Sequence, residues 1–421
     1  MGYPKLLLLN IPRYLKEPLI KNSIFLMFTS ISSAGSGFIF WIFAARYYSP
    51  IEVGIASALV SSMGVIITLS LLGFDISLVK YLLKEKNQSD ILTTCLITSV
   101  TFSLFLSLIF TLGIDIWPPS VQFINPSFFV ASLFALFTAF GVVQSLQQQG
   151  VFLGFRKTEY SAIQTIVTLT RIVVIPILVP FGAIGVFIAY GITPILSVFL
   201  GFYFINRIIQ YQPKFSLNTN TLKQVFGYSI NNYFARVFEQ LPNFLLPLLV
   251  TAVLGAEENA YFFIAWQIAY MTLMIPRWTS VSLFAEGTVS ERSLYGNFKK
   301  AFLLILILLC VVIISIIIFG KFVLFMFGSS YVEHSYQILL ILLIASVPFS
   351  INALYGTLKR LQNNTGTVIV LYGSILLITM VLGLISISAY GVAGVAWAWV
   401  VTNSLVSIGV ILRMIYERKS I

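Results

Sequence analysis

The sequence predicts an all-α polytopic membrane protein of about twelve transmembrane helices, in two six-helix bundles related by a pseudo-two-fold axis along the membrane normal. Three observations carry this. Of 421 residues, 58% are hydrophobic and only 9% charged, and the mean hydropathy of +0.97 lies far above that of a soluble domain. The apolar runs reach about 20 residues or more, enough for a helix to cross a hydrocarbon core of roughly 30 Å with its backbone polar groups satisfied internally, so a barrel of short strands is excluded. Finally, "FGAIGVFIAYG" from Phe181 parallels "YGVAGVAWAWV" from Tyr390, and each opens the last helix of a six-span half. A weaker pair is "SPIEVGIASAL" after span one and "GAEENAYFFIA" after span seven. Halves with an even number of spans keep the same orientation, which places a cavity between them.

Apolar runs between charged or Pro/Gly/Asn-rich breaks place the spans near 22–46, 52–79, 91–113, 126–148, 158–180, 182–206, 222–251, 258–283, 299–320, 334–356, 366–388 and 391–413. Residues 1–21 read as an interfacial segment, because the run Leu6 to Leu9 is short, prolines flank it and no small-residue cleavage site follows. The first bundle is then 22–206, the linker 207–221, the second bundle 222–413 and the tail 414–421. In span one, the small residues "SISSAGSG" from Ser30 to Gly37 permit close helix approach. Span two, taken as one continuous helix, carries Asp75 about 35 Å from its start, at the level of the headgroups. Span four ends with Gln144, Gln147 and Gln148 on one face.

Assigned to sides, 20 of the 25 Lys and Arg residues fall at the termini and in the even-numbered loops, while Arg46 and Lys321 lie opposite. Both termini are therefore expected in the cytoplasm. The net charge of +11 is a topological signal, and no nucleic-acid partner is implied. Cys95 and Cys310 lie in separate apolar spans and His334 stands alone beside Glu333, so neither a disulfide nor a metal site is expected. No GxxxxGK[ST], GxSxG or paired-carboxylate pattern occurs. The reading is a transporter without a cofactor, not an enzyme.

Three arginines fall inside spans, and they select the candidate site. At 3.6 residues per turn, Ser229, Asn232, Arg236, Glu239 and Asn243 share roughly an 80° sector of span seven, with Arg236 about 20 Å from Lys223. Pro242 and Pro247 are expected to kink the far half of this span. In span five Ser161, Gln164, Thr168 and Arg171 share a face, with Arg171 similarly deep, and in span eight Gln267, Tyr270, Met274 and Arg277 do so closer to the cytoplasmic end. A central arginine costs at least about 2.5 to 3.5 kcal/mol on insertion scales, so such residues face a bundle interior and mark a pathway or a pair. Two alternatives stand: Glu239 neutralises Arg236, or Arg171 across helices, or it leaves them available to a ligand. Arg171 and Arg236 against Glu239 make the cavity net positive, more so with Arg277. Such a cavity suits phosphate, pyrophosphate or acidic sugar groups, held by bidentate arginine.

The twelve-span pattern, "YSPIEVGIASAL", "GAEENAYFFIAWQI" and above all "EYSAIQTIVTLTRIVVIPILVPFGAIGVFIAY" across spans five and six resemble polysaccharide-biosynthesis flippases of the Wzx type. These belong to the superfamily that includes multidrug and toxin extrusion (MATE) transporters and lipid II flippases. The resemblance covers essentially the whole chain. It implies a MATE-like fold and export of an undecaprenyl-pyrophosphate-linked oligosaccharide repeat unit, by alternating access, across the cytoplasmic (inner) membrane of a bacterium. The product would be an O-antigen, other lipopolysaccharide, capsule or exopolysaccharide. Membrane lipids, a polysaccharide polymerase and a chain-length regulator would be the partners. From the polar faces, Arg171 and Arg236 are expected to bind the headgroup or pyrophosphate, with Glu239 tuning their availability and Asn232, Asn243, Gln164 and Arg277 also in the cavity. Lipid II flippases commonly have fourteen spans, which disfavours a peptidoglycan role. A cation-coupled drug exporter would need acidic groups that span one lacks. A non-transporting scaffold of a glycan-synthesis complex would leave both arginines dispensable.

Overall fold

The computed structural model describes residues 18–84, 87–113, 128–213, 219–287 and 294–419. Most of the expected interfacial segment, part of the linker (214–218) and the end of the tail (420–421) lie outside the described residues. Every regular element among them is helical: α1 (Pro18–Tyr47), α2 (Pro50–Ser70), α3 (Phe74–Tyr81), α4 (Gln88–Leu112), α5 (Phe128–Ser145), α6 (Thr158–Val167), α7 (Thr170–Val174), α8 (Gly182–Ile209), α9 (Thr219–Gln240), α10 (Pro242–Leu254), α11 (Ala256–Gly287), α12 (Leu294–Phe325), α13 (Ser329–Ile344), α14 (Ser346–Leu361) and α15 (Thr365–Lys419). Short π-helical (Leu146–Val151) and helical (Phe152–Gly154) turns follow α5, and a 3₁₀ stretch (Ile175–Phe181) precedes α8.

Among the described residues seven helices are long and apolar enough to cross a membrane, and nine if each of two bent pairs counts once. Two of the seven, Thr158–Ile209 and Thr365–Glu417, run for 52 and 53 residues. At 1.5 Å per residue each is more than twice as long as one crossing requires. Each is interrupted by the same backbone device: Gly182 at φ 55°, ψ −140° and Gly391 at φ 57°, ψ −143°. Three residues on, a Cβ at Gly185 would strike the carbonyl of Leu178, and one at Gly394 the carbonyl of Ser386. The repeated sequence is thus a repeated hairpin whose arms approach too closely for a side chain. With these second crossings and the 32-residue α11, the chain accommodates the twelve spans.

The second repeated pair meets itself. α2 starts with a capping box, in which Glu52 accepts from the Ser49 amide at 2.8 Å while Ser49 Oγ accepts from Glu52 N, and with Pro50 in its first turn. Its small-residue face packs against the start of α11, where Asn259 Nδ2 donates to Gly54 O at 3.1 Å and to Ser57 Oγ at 2.9 Å. Two symmetry-related segments in contact must lie beside the pseudo-axis. Around them Trp41 meets Phe263 edge to face at 4.7 Å, and Phe38 meets Phe327 at 5.3 Å. Arg46 donates to the last carbonyls of α12, Phe325 at 2.5 Å and Met326 at 2.7 Å, where a cation complements the helix dipole. At this end, the end of the Ser49 turn, the halves are closed against each other. On the periphery, Leu303, Ile307, Val311, Ile314, Ile318 and Phe322 of α12 form an exposed stripe at helical spacing, the face a hydrocarbon solvent requires.

Several spans differ from the continuous helices expected. Span two breaks at Leu72 and Gly73, both at positive φ (50° and 75°), and α9 sits against this break. Ser229 leaves only 2.8 Å to a Cβ at Gly73, and the Tyr233 hydroxyl donates to Leu69 O at 2.8 Å. Span five breaks after Val167, and its far part winds as 3₁₀ at Pro176 and Pro180, which supply no backbone donor. Span seven bends by 44° between α9 and α10, with Pro242 opening the second piece as its proline suggests. Span ten bends by 43° between α13 and α14. His334 lies within α13 and stacks on Tyr261 at 4.6 Å, not in a loop.

Candidate functional site: a cationic cavity between the halves

A chain of three cavities runs along the interface between the halves. One, of about 400 Å³, is walled by Ser30, Ser33, Ala34 and Gly37 of α1, by Arg171 and Tyr190, and by Gln267, Tyr270, Met274 and Arg277 of α11. A second, of about 600 Å³, shares Ser30 and Ser33 with it and adds Asp75, Lys80, Gln148, Gln149, Ser161 and Arg236. A third, of about 190 Å³, touches Tyr190, Gln149, Arg236 and Gln240. Arg171 and Arg277 line the first, whose wall includes no acidic residue among the described residues, while Arg236 lines the other two.

Arg171 is only 6% exposed and lies on a helix of its own, α7, within the broken span. Its Nη2 donates to Ser36 Oγ at 2.8 Å, and its guanidinium stacks 5.2 Å from the Phe40 ring and 5.3 Å from that of Tyr190. Ser36 is held in turn by the Ser33 carbonyl at 3.0 Å and by Thr168 Oγ1 at 3.1 Å. No described carboxylate forms an ion pair with Arg171, and its Nε has no hydrogen-bond partner among the described residues. The expected alternative of pairing with Glu239 does not occur. The small residues of α1 do more than pack: Ser36 accepts from the arginine, Gly37 lies 3.6 Å (as a Cβ) from its Nη2, and Ser30, Ser33 and Ala34 face the cavities.

Arg236 does not pair with Glu239 either. It forms an ion pair with Asp75 of α3 and donates to Gln149, both in the other half. Asp75 is therefore not at a headgroup surface: the break at Gly73 restarts the helix, so the residue lands in the first turn of α3, 2% exposed, where the helix dipole favours an anion. Glu239 is held instead by Arg360 at 2.7 Å, with Arg277 at 4.0 Å. Arg360, counted from sequence as a loop charge, belongs to this cluster, and the neighbouring Lys359 is buried against Glu417 at 2.8 Å.

The remaining candidates separate. Arg277 stacks on Tyr270 at 4.9 Å, also bonds its hydroxyl, and reaches the same cavity as Arg171. Asn243 lies behind it, donating to Tyr270 at 3.2 Å. Asn232 is half-buried and lines none of these three cavities. Gln164 is fully buried away from them, donating to Gln147 at 2.8 Å and to Ser197 O at 2.7 Å, because the break after Val167 shifts the helical register between it and Arg171. Sequence reasoning missed Asp75, Gln149, Arg360, Tyr190 and Ser36 as site residues. The only signal available was that Asp75 is a carboxylate within an apolar span.

Fold and site together define a polytopic α-helical membrane protein of two repeated halves with a cationic cavity between them. The chain belongs to the family described as Polysaccharide biosynthesis protein, whose model matches residues 19–285, more than half of its length. No curated protein matches it in sequence. Among solved structures, a lipid II flippase MurJ in an inward closed conformation superposes with a TM-score of 0.73 at 14% identity, over 94% of this chain and 87% of that one. An inward-facing multidrug resistance MATE family transporter of the MOP superfamily gives 0.63 at 16% identity, over 93% and 94%. A MOP superfamily transporter from Pyrococcus furiosus, whose binding pocket is described as of reverse polarity, gives 0.57 at 16%, over 94% and 95%. At these identities the shared property is the fold.

Proposed function

We propose that this protein is a flippase that moves a lipid-linked oligosaccharide with an anionic linker, of the undecaprenyl-pyrophosphate type, across a bacterial cytoplasmic membrane. Its product would supply a polysaccharide polymerase building a surface polysaccharide. One observation carries the reading: Arg171, a buried arginine without a carboxylate partner among the described residues, faces a cavity between the halves whose wall, among those residues, holds a second arginine, Arg277, and no acid. An uncompensated guanidinium in a low-dielectric interior is costly, and an anion that enters relieves that cost. Phe40 and Tyr190 both contact the guanidinium and Ser36 occupies one arm, so the fork is oriented before a ligand arrives. The family and the likeness to MurJ support the lipid-linked substrate class, and the glycan would occupy the cavities while the tail stays in the bilayer. In this reading both termini face the cytoplasm, residues 22–206 and 222–413 are the rocking units, and the Ser49 end faces outward.

The test is complementation of a strain lacking the gene by Arg171→Ala and Arg171→Lys, at matched expression. Loss of one charge-assisted contact of about 1.5–3 kcal/mol predicts a transport defect of roughly 10- to 150-fold for Ala, with accumulation of lipid-linked repeat units. Lys keeps the charge without the planar fork and should recover only part. Normal surface polysaccharide from well-expressed Arg171→Ala would refute the reading.

A further inference from the structure

We infer that Asp75 is a built-in competitor of the anionic substrate: it holds Arg236 across the two halves of the empty protein, and an incoming pyrophosphate displaces it and releases that contact. The inference rests on the flippase reading and extends it from binding to the coupling of binding with movement.

Arg171 and Arg236, which reach the cavities from opposite halves, are not equivalent. Arg171 has no acidic partner among the described residues, whereas Arg236, on α9, is already paired with a carboxylate of the other half, 161 positions away in sequence. Arg236 is 31% exposed and borders two cavities, so a ligand reaches it, while Asp75 is 2% exposed behind it. The hold on Asp75 is incomplete, since its Oδ1 has no hydrogen-bond partner among the described residues. A half-satisfied buried carboxylate has little besides its cation to stabilise it, so its displacement is costly and must be matched by what the entering anion gains at Arg236. One guanidinium cannot present its full fork to both.

Displacement has a mechanical consequence. A buried carboxylate stripped of its cation is strongly disfavoured where it stands. Asp75 rides on α3, an eight-residue helix joined to α2 only through Leu72 and Gly73 at positive φ. The same junction is where Tyr233 of α9 bonds Leu69 O and where Ser229 leaves no room for a side chain at Gly73. Exchange of Asp75 for the substrate at Arg236 therefore acts on the point where the second half leans on the break in span two.

The experiment titrates the full-length protein in detergent with inorganic pyrophosphate and with farnesyl pyrophosphate. Asp75→Asn should bind both about tenfold more tightly than wild type, within the usual range of site-to-site coupling. In an Arg236→Gln background the same substitution should have no effect. Unchanged or weaker binding by folded Asp75→Asn, a gain that persists without Arg236, or a gain confined to the farnesyl ester would each overturn the inference. Absence of binding by wild type defeats the flippase reading and this inference with it. Binding lost in Arg171→Ala but unchanged in Asp75→Asn defeats the inference alone. A second measurement leaves Asp75 in place: spin labels at Val79 and Phe234 should move apart when pyrophosphate is added to the otherwise native protein, and an unchanged distance would overturn the proposal.

Discussion

Gly54→Ala tests how closely the halves are pressed together at the Ser49 end. A methyl group there would overlap the backbone carbonyl of Ala256, and backbone cannot swing aside as the tip of a flexible side chain can. Either α2 and α11 separate or the contact is strained. Overpacking of this kind costs about 1–3 kcal/mol, which shifts an equilibrium between closed and parted halves by roughly 5- to 150-fold toward parting. Asn259 loses its geometry to Gly54 O and Ser57 at the same time. The reporter is a cysteine at Ser57, a fully buried position, in a protein whose Cys95 and Cys310 have been replaced. Labelling by a membrane-impermeant maleimide should be slow in the parent and at least about fivefold faster with Gly54→Ala, the lower bound of that shift. Equal labelling rates in two equally stable proteins would refute the claim that this contact closes the end.

Two further substitutions probe the cluster and the repeat. Glu239→Gln leaves Arg360 and Arg277 without their shared counter-charge; breaking a buried pair costs about 3–5 kcal/mol, and with side-chain exposures of 18% for Glu239 and 33% for Arg360, screening lowers this to about 2 kcal/mol. Thermal unfolding in detergent should register the loss, and Glu239→Gln/Arg360→Gln should recover part of it; strictly additive losses would contradict the pairing. Gly182→Ala and Gly391→Ala both force a Cβ into a glycine conformation at a cost of about 1–3 kcal/mol. Gly182→Ala should lower the unfolding temperature more, because its Cβ also comes to 2.9 Å from Glu52 Oε1 while Gly391 faces open space; the reverse order would refute the comparison.

Much of the architecture was legible along the chain because its causes are local. Span length follows from hydrocarbon thickness, the bend of span seven from Pro242, and the paired hairpins from glycines that recur at matching places. The presence of costly arginines in apolar helices was equally plain. Their partners were not. Glu239 stands three residues from Arg236 yet binds Arg360, 121 positions away, and Arg236 binds Asp75, 161 positions away. Helical spacing ranks neighbours on one cylinder, whereas an ion pair in a low-dielectric interior goes to whichever opposite charge the packing brings into contact. Breaks decided the rest: the one at Leu72–Gly73 moved Asp75 from an expected surface into the core, and the one after Val167 turned Gln164 away from the cavity that Arg171 faces. Sequence alone determined that this is a two-half membrane bundle with cations in its interior. Only the tertiary structure decided that, among the described residues, Arg171 has no acidic partner and Arg236 has one, because charge compensation depends on distances between helices that the order of residues does not contain.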